Sequence, residues 1–515
     1  MTGRPVGRHR ERDMNASDER VILAIDQGTT SSRAVLFDRH GRVLGSEHQE
    51  IEQIYPRSGW VNQDATQIWD VTRTVMQRVV SSTGVEIDAI AGIGITNQRE
   101  TTVLWDRSTG EPVAPAIVWQ SRQTAPLVDE IVSRGAAERY RRITGLVPDA
   151  YFSATKIAWL LDQDPEIRRR AEAGELAAGT IDSWLIWNLS GGSHHLTDYS
   201  NASRTMLYDI RSLSWSSELL EDLAIPASLL PEVRGNAEFV CETDPEVLGR
   251  AIPVAGVAGD QQSALFGQAC FAPGEAKNTY GTGSFLLMQT GTKATVSTHD
   301  LLTTIAWGID GVIEYALEGA IFVTGAAVQW LRDGLGIIDK AADVEALAAS
   351  VEDTGGVAFV PALAGLGAPY WDSGARGTIT GLSRGSTAAH IARATLEAIA
   401  FQSRDVLDAM QADSGITLEE LRVDGGASGN DLLMQIQADV LGVPVVRPKN
   451  IETTVLGAAY LAGMAVGVWN DREDVRTSWD VDRRFEPKWS ADERASRYAA
   501  WKEAVSRSLS SHSSR

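Results

Sequence analysis

The stretch Val21–Asp38 reads VILAIDQGTTSSRAVLFD. An apolar run, Val21–Ile25, ends on the carboxylate Asp26; Gly28 and the hydroxyl residues Thr29–Ser32 follow, and a second apolar run, Ala34–Phe37, comes at once. Each run has strand length and the residues between them are turn formers, so the spacing predicts two strands joined by a tight turn. Such a turn aims successive backbone N–H groups and hydroxyls into one concavity, which suits an anion. Asp26 at its rim suits a divalent cation held through oxygens and waters. The pattern reads as a grip for phosphate and magnesium, and also as a plain hairpin with a polar tip; the rest of the chain decides.

Ala276–Gln289, AKNTYGTGSFLLMQ, has the same order of strand, Gly-Thr-Gly turn and apolar strand. Two such grips about half the chain apart point to duplicated α/β domains facing each other across a cleft. Ile87–Thr96, IDAIAGIGIT, reads as a buried strand running into Asn97, Gln98, Arg99 and Glu100. Ile252–Gln268, IPVAGVAGDQQSALFGQ, reads as a strand followed by a helix with Asp260 at its N-cap. Ligand groups of α/β folds stand at such strand ends, although a surface salt bridge and an ordinary cap fit the same residues. In VDGGASGN, the turn at Gly425 and Gly426 admits close approach of an adenosine moiety, or is a simple strand–helix connection.

Helical spacing is clear over Gln63–Val80, with Ile68, Trp69, Val71, Val75, Met76 and Val79 on one face, and helices are expected near Thr124–Ser133, Ser153–Asp162 and Thr387–Gln411. Gly179–Asn188 fits helix or strand. Thr453–Trp469 is uncharged and rich in Gly and Ala, which predicts a buried helix packed through small residues and is short for a membrane span.

A chain of 515 residues exceeds one core, so two domains are expected. The balance of 47 basic against 68 acidic residues gives −21, which argues against nucleic acid or an anionic membrane as partner. Two cysteines, Cys241 and Cys270, make no disulfide framework and suit a reducing, cytoplasmic setting. Residues 1–20 lack a signal-peptide core, and both this segment and residues 506–515 are expected to be disordered tails. The chain holds no G-x-x-x-x-G-K-[ST] motif and no H-E-x-x-H. GLSRG at Gly381–Gly385 matches a hydrolase elbow, but the later histidines, His390 and His512, are poorly placed for a triad.

DQGTTSSRAV, GITNQRETT, AIVWQ, TDYSNASRTML, GVAGDQQSALFGQ, KNTYGTGSF, GLGAPYWDSGARG and VDGGASGN, in this order, resemble the FGGY family of carbohydrate kinases in its glycerol-phosphorylating branch. The resemblance spans Val21 to about Trp501. It implies an α/β fold of two actin-like, ribonuclease-H-like domains around a central cleft: residues 21–268 for glycerol and phosphate, residues 269–505 for nucleotide. It implies transfer of the ATP γ-phosphate to glycerol with Mg²⁺, Asp260 as general base and Asp26 ordering the magnesium waters. Arg99, Glu100, Tyr151, Asp260 and Gln261 resemble the family's glycerol ligands, with Trp119 and Phe285 as walls around the carbon chain. Thr29, Thr30, Ser31 and Arg33 resemble its phosphate contacts; Thr282, Gly325, Gln329, Gly426 and Asn430 resemble the remaining nucleotide contacts. A homodimer or homotetramer is implied as well. The segment CETDPEVLGRAIPV lacks the basic, Gly-rich loop through which some members bind a sugar bisphosphate, and no histidine lies between His195 and His299 for control by phosphorylation. A kinase for another polyol or sugar, and a non-catalytic ATP-binding scaffold, are the alternatives.

Overall fold

The computed structural model of the chain describes residues 20–510. The two opening runs form a hairpin, β1 (Val21–Gln27) and β2 (Ser31–Phe37), paired antiparallel with Asp26 opposite Arg33. β3 (Val43–Glu50) extends it beyond β2. On the other side of β1 lie β4 (Ile90–Asn97), β6 (Pro253–Gly259) and, at the edge, β5 (Ala237–Glu242). β1, β4 and β6 are mutually parallel; β5 runs antiparallel to β6. The strand expected from Ile87 starts at Ile90, because Ile87–Ala89 is a single 3₁₀ turn closed by the Ala89 N–H on the Glu86 carbonyl.

The second sheet contains β7 (Ala276–Tyr280), β8 (Ser284–Gly291), β9 (Leu302–Ile309), β10 (Val312–Ile321), β11 (Leu421–Asp424), β12 (Val445–Pro448) and β13 (Val481–Phe485), in the order β9-β10-β8-β7-β11-β12-β13. Apart from β9, it repeats the first strand by strand. The β7–β8 hairpin stands where β1–β2 stands, β10 matches β3, β11 and β12 match the parallel pair β4 and β6, and β13 matches the antiparallel edge β5.

Helices cover the sheets through the apolar faces read from the sequence. α1 (Ala65–Thr83), capped by the Asp64 carboxylate on the Thr66 N–H, buries Ile68, Val71, Val75, Met76 and Val79 in the first core. α2 (Asp260–Gly267) follows β6 directly, and α3 (Gly325–Asp333) follows β10. α4 (Ala388–Ser414) and α5 (Asp431–Leu441) pack in the second core. Gly179–Asn188 resolves into the end of a strand, Leu176–Gly179, and a helix, Ile181–Leu189.

α6 (Thr453–Ala465) is the expected small-residue helix, and it belongs to the first sheet in space although it comes late in the chain. A Cβ added at Gly94 of β4 would lie 2.2 Å from the Ala458 carbonyl oxygen, and one added at Gly457 would lie 1.9 Å from that of Ser263 in α2. Backbone thus packs directly on backbone. The helix stops at Ala465 rather than Trp469 because Gly467 turns into the left-handed region, φ 72°, and the Val468 N–H closes back on the Gly463 carbonyl at 2.7 Å.

The tail expected at 506–515 is in part ordered. The last helix spans Ala491–Ser508, and the Ser510 N–H donates to Asp372 Oδ2 at 2.7 Å. Residues 1–19 and 511–515 lie outside the described residues. Among the described residues no helix is long and apolar enough to cross a membrane.

Candidate active site

The parallel strands β1, β4 and β6 end level with one another: Gln27 pairs with Asn97, and Asn97 with Gly259. The residues at and just beyond these ends therefore meet at one edge, which is where Asp26, Arg99, Glu100 and Asp260 come together. Arg99 Nε lies 3.0 Å from Asp260 Oδ1 and 3.9 Å from Glu100 Oε1. Asp260 is the first residue of α2 and not its cap; Gly259 holds the cap position, being the last extended residue of β6. The Asp260 carboxylate accepts the Gln261 N–H at 2.7 Å and its side chain keeps 31% exposure, against 2% for Arg99. Burial pushes the Asp26 carboxyl up to about 7, with Asp260 and Glu452 adding to the shift and Arg33 opposing it.

Glu100 is buried and held by a left-handed backbone, φ 61°. Its carbonyl oxygen accepts from Thr102 Oγ1 at 3.1 Å, Ser153 Oγ at 3.1 Å and Lys156 Nζ at 3.2 Å. Lys156 also donates to the Tyr151 carbonyl, so one buried amine ties together the two segments carrying Glu100 and Tyr151. Burial brings this amine down to about 7. The rings of Trp119 and Tyr151 meet edge to face at 5.5 Å, and those of Trp119 and Phe285 at 6.4 Å. Phe285 comes from β8, so the second sheet contributes one ring to the aromatic wall. Gln261 Oε1 accepts from Lys277 Nζ, a fully buried amine that also donates to Thr279 Oγ1 at 2.8 Å.

The first grip adjoins this wall. Trp119 Nε1 donates to Thr29 Oγ1 at 2.8 Å, and the Thr29 carbonyl accepts from Gln53 at 2.8 Å and Gln63 at 2.5 Å. Thr30 is exposed and Ser31 partly so, while Arg33 Nη1 donates to Glu452 Oε2 at 2.5 Å, just ahead of α6. In the second grip, the Thr282 carbonyl accepts the N–H groups of Thr324 and Ala326, both at 3.0 Å, and the Gly281 carbonyl accepts that of Gly325 at 3.1 Å. A Cβ at Gly425 would lie 2.5 Å from the Tyr280 carbonyl, which puts the Gly425–Gly426 turn against the same strand end. Thr282, Gly325 and Gly426 therefore share one region. Asn430 sits beyond that turn as the N-cap of α5, its Oδ1 accepting the Leu433 N–H at 2.8 Å, and Gln329 stands exposed one turn along α3 from Gly325.

The motif TDYSNASRTML braces the ends of β4 and β6. Asn201 exchanges side-chain hydrogen bonds of 3.1 and 3.0 Å with Asn97, and Ser200 Oγ accepts the Gly259 N–H at 2.9 Å. Sequence reading assigned no role to Arg204, Glu318, Lys277, Lys156 or Glu452. Charged residues inside apolar runs, such as Glu318 in ALEGAI, were the signal available. Ser383 of GLSRG caps a surface turn, its Oγ accepting the Gly385 N–H at 3.2 Å, and His390 bonds Thr387, so no triad forms there among the described residues; His512 lies outside them.

The family models for the N-terminal and C-terminal domains of the FGGY carbohydrate kinases match residues 21–267 and 276–466. The chain belongs to the FGGY family of carbohydrate kinases. This FGGY kinase is 61% identical over 486 residues to a glycerol kinase of Symbiobacterium thermophilum, covering 94% of this chain and 98% of that one. It is 58% identical over 490 residues to a glycerol kinase of Caldanaerobacter subterraneus, covering 95% and 99%. The crystal structure of Plasmodium falciparum glycerol kinase with ADP superposes with a TM-score of 0.90 at 38% identity, covering 95% of this chain and 98% of that one.

Proposed function

We infer that this FGGY kinase transfers the γ-phosphoryl group of ATP to the 3-hydroxyl of glycerol, giving sn-glycerol 3-phosphate and ADP. The observation that carries this reading is the meeting of Arg99, Glu100 and Asp260 with the Trp119, Tyr151 and Phe285 rings, hydrogen-bonded to the phosphate grip through Thr29. A three-carbon polyol has hydroxyls to satisfy and a short CH face to cover, which this mixture of charge and ring suits. A site that bonds each hydroxyl rejects an acceptor lacking one, since its own buried groups are then left unpaired.

Phosphoryl transfer asks mainly for positioning and charge stabilisation. Asp260 takes the proton of the attacking hydroxyl, a role worth roughly 10²–10⁴ in rate. Arg33 and the N–H groups of the Gly28–Ser31 turn meet the charge of the transferred group, and for this Arg33 exchanges Glu452 for phosphate. Among the described residues no group of three or more His, Cys, Asp or Glu is placed to hold a metal ion. This donor set fits a magnesium ion that arrives with ATP, keeps its waters, and meets the protein through Asp26, whose carboxyl is poised to ionise beside a cation. The ion would neutralise phosphate charge. On the same reading the chain works as a cytoplasmic homo-oligomer, with glycerol held mainly by residues 21–268 and nucleotide by residues 269–505.

The test is ADP release measured by a coupled assay across glycerol, other polyols and ketose sugars. Glycerol should give the highest kcat/KM; a sugar outperforming it would replace the acceptor assigned here.

A further inference from the structure

Glu318 lies in β10 within the apolar run ALEGAI and is fully buried. A carboxylate in such a place is strongly unfavourable unless it is paired. Its two oxygens take the Arg99 guanidinium in a fork, Nη1 to Oε2 at 2.6 Å and Nη2 to Oε1 at 2.8 Å, and Oε1 also accepts Arg204 Nη2 at 3.1 Å. Arg204 donates its Nε to Glu100 Oε1 at 2.7 Å and lies over the Tyr151 and Phe152 rings. Two guanidiniums and two carboxylates thus form a neutral buried quartet, and burial, which pushes the Glu318 carboxyl up, is overcome by Arg204 and Arg99, which hold it down at about 2.

The quartet is divided between the sheets: Arg99 and Glu100 follow β4, whereas Glu318 belongs to β10. With both Nη groups of Arg99 engaged by Glu318, its Nε is left facing Asp260. We propose that Glu318 is a positioning residue for the acceptor alcohol: from the second sheet it orients Arg99 directly and Glu100 through Arg204, presetting both ligands before the alcohol arrives. The inference rests on Arg99 and Glu100 being acceptor ligands. It adds a residue that touches neither substrate but fixes the geometry of those that do.

The experiment measures initial rates with Glu318→Gln and Glu318→Asp, varying glycerol at saturating ATP and ATP at saturating glycerol, with melting curves in parallel. Gln keeps the shape but sets an amide N–H₂ against a guanidinium; Asp keeps the charge but withdraws it by one methylene. Glycerol KM should rise about ten- to a hundredfold in Glu318→Gln, with ATP KM within about twofold of wild type. Glu318→Asp should melt closer to wild type yet retain a glycerol KM raised about tenfold, because restored charge does not restore the fork. A wild-type glycerol KM in Glu318→Asp, or equal rises in both KM values in either variant, overturns the proposal. Should Glu318→Gln not fold, Glu318→Asp decides. Wild-type enzyme is run first on the polyol and sugar panel. If another alcohol is the better acceptor, the function assigned above fails, and the ratio of that acceptor's KM to ATP KM tests Glu318 in its place.

Discussion

A general base must take the proton of an incoming hydroxyl, and Asp260 is partly open while Glu100 and Glu318 are sealed. Asp260→Asn is expected to lower kcat by roughly 10²–10⁴ while leaving ADP affinity within about twofold, measured by turnover and calorimetry. Arg99→Ala should raise glycerol KM by about tenfold or more and leave ATP KM near wild type; equal changes would remove Arg99 from the acceptor side. Asp26 predicts a pH effect of definite sign. Its folded carboxyl keeps a proton up to about pH 7, whereas an unfolded Asp loses it near pH 3.8. The stability this gives is therefore complete below the unfolded value, declines as pH rises, and is lost as pH passes through 7. Melting curves of the ligand-free protein should show wild type losing stability relative to Asp26→Asn between about pH 4 and pH 7. Parallel curves across that window would mean that Asp26 is not held protonated. Asp26, Arg99, Glu100 and Asp260 stand at or just beyond the ends of apolar strands, and that placement was legible in the sequence. Glu318 and Arg204 were not, because their bond joins positions 114 residues apart and only the fold makes them neighbours.

At the scale of elements, the two hairpins were legible because strand length, turn chemistry and a glycine all fall within a few residues. Boundaries set by tertiary contact were less so. Nothing local separates the 3₁₀ turn at Ile87–Ala89 from the strand beyond it, and Gly467, which ends α6, follows two glycines, Gly457 and Gly463, that lie inside the helix. The tight seat of α6 on β4 makes a direct prediction. Gly94→Val places side-chain atoms where the Ala458 carbonyl stands, 2.2 Å from the first added carbon, and backbone cannot yield as a flexible side chain does. Destabilisation of about 1–3 kcal/mol or more is expected from denaturant unfolding. Gly84→Ala, with open space around it but φ 67°, should cost less, about 1 kcal/mol.

Across the whole molecule, Arg33 of β2 is paired with Glu452, 419 residues later in the chain and just ahead of α6; both are partly exposed and must part for Arg33 to meet a phosphate. Partly exposed pairs contribute little, so Glu452→Ala should leave melting nearly unchanged and lower ATP KM by about two- to fivefold, through loss of a competitor for Arg33 and of a negative charge near the phosphates. An unchanged or raised ATP KM would show that Glu452 does not compete. The doubling of the α/β unit was foreseen from the paired grips, but its strand order and the crossing of α6 were not. It depends on glycines in β4, β6 and α2 that read locally as ordinary strand and helix positions.

That crossing also governs how the protein is made. The first sheet leaves one face without its cover until α6, ending at Ala465, has been synthesised. A ribosome that has delivered β1 through β6 therefore holds an unfinished lobe with bare backbone and apolar surface, a state open to wrong association. Synthesis of nearly the entire polypeptide has to precede completion of its earliest part, so the two lobes mature together instead of in succession.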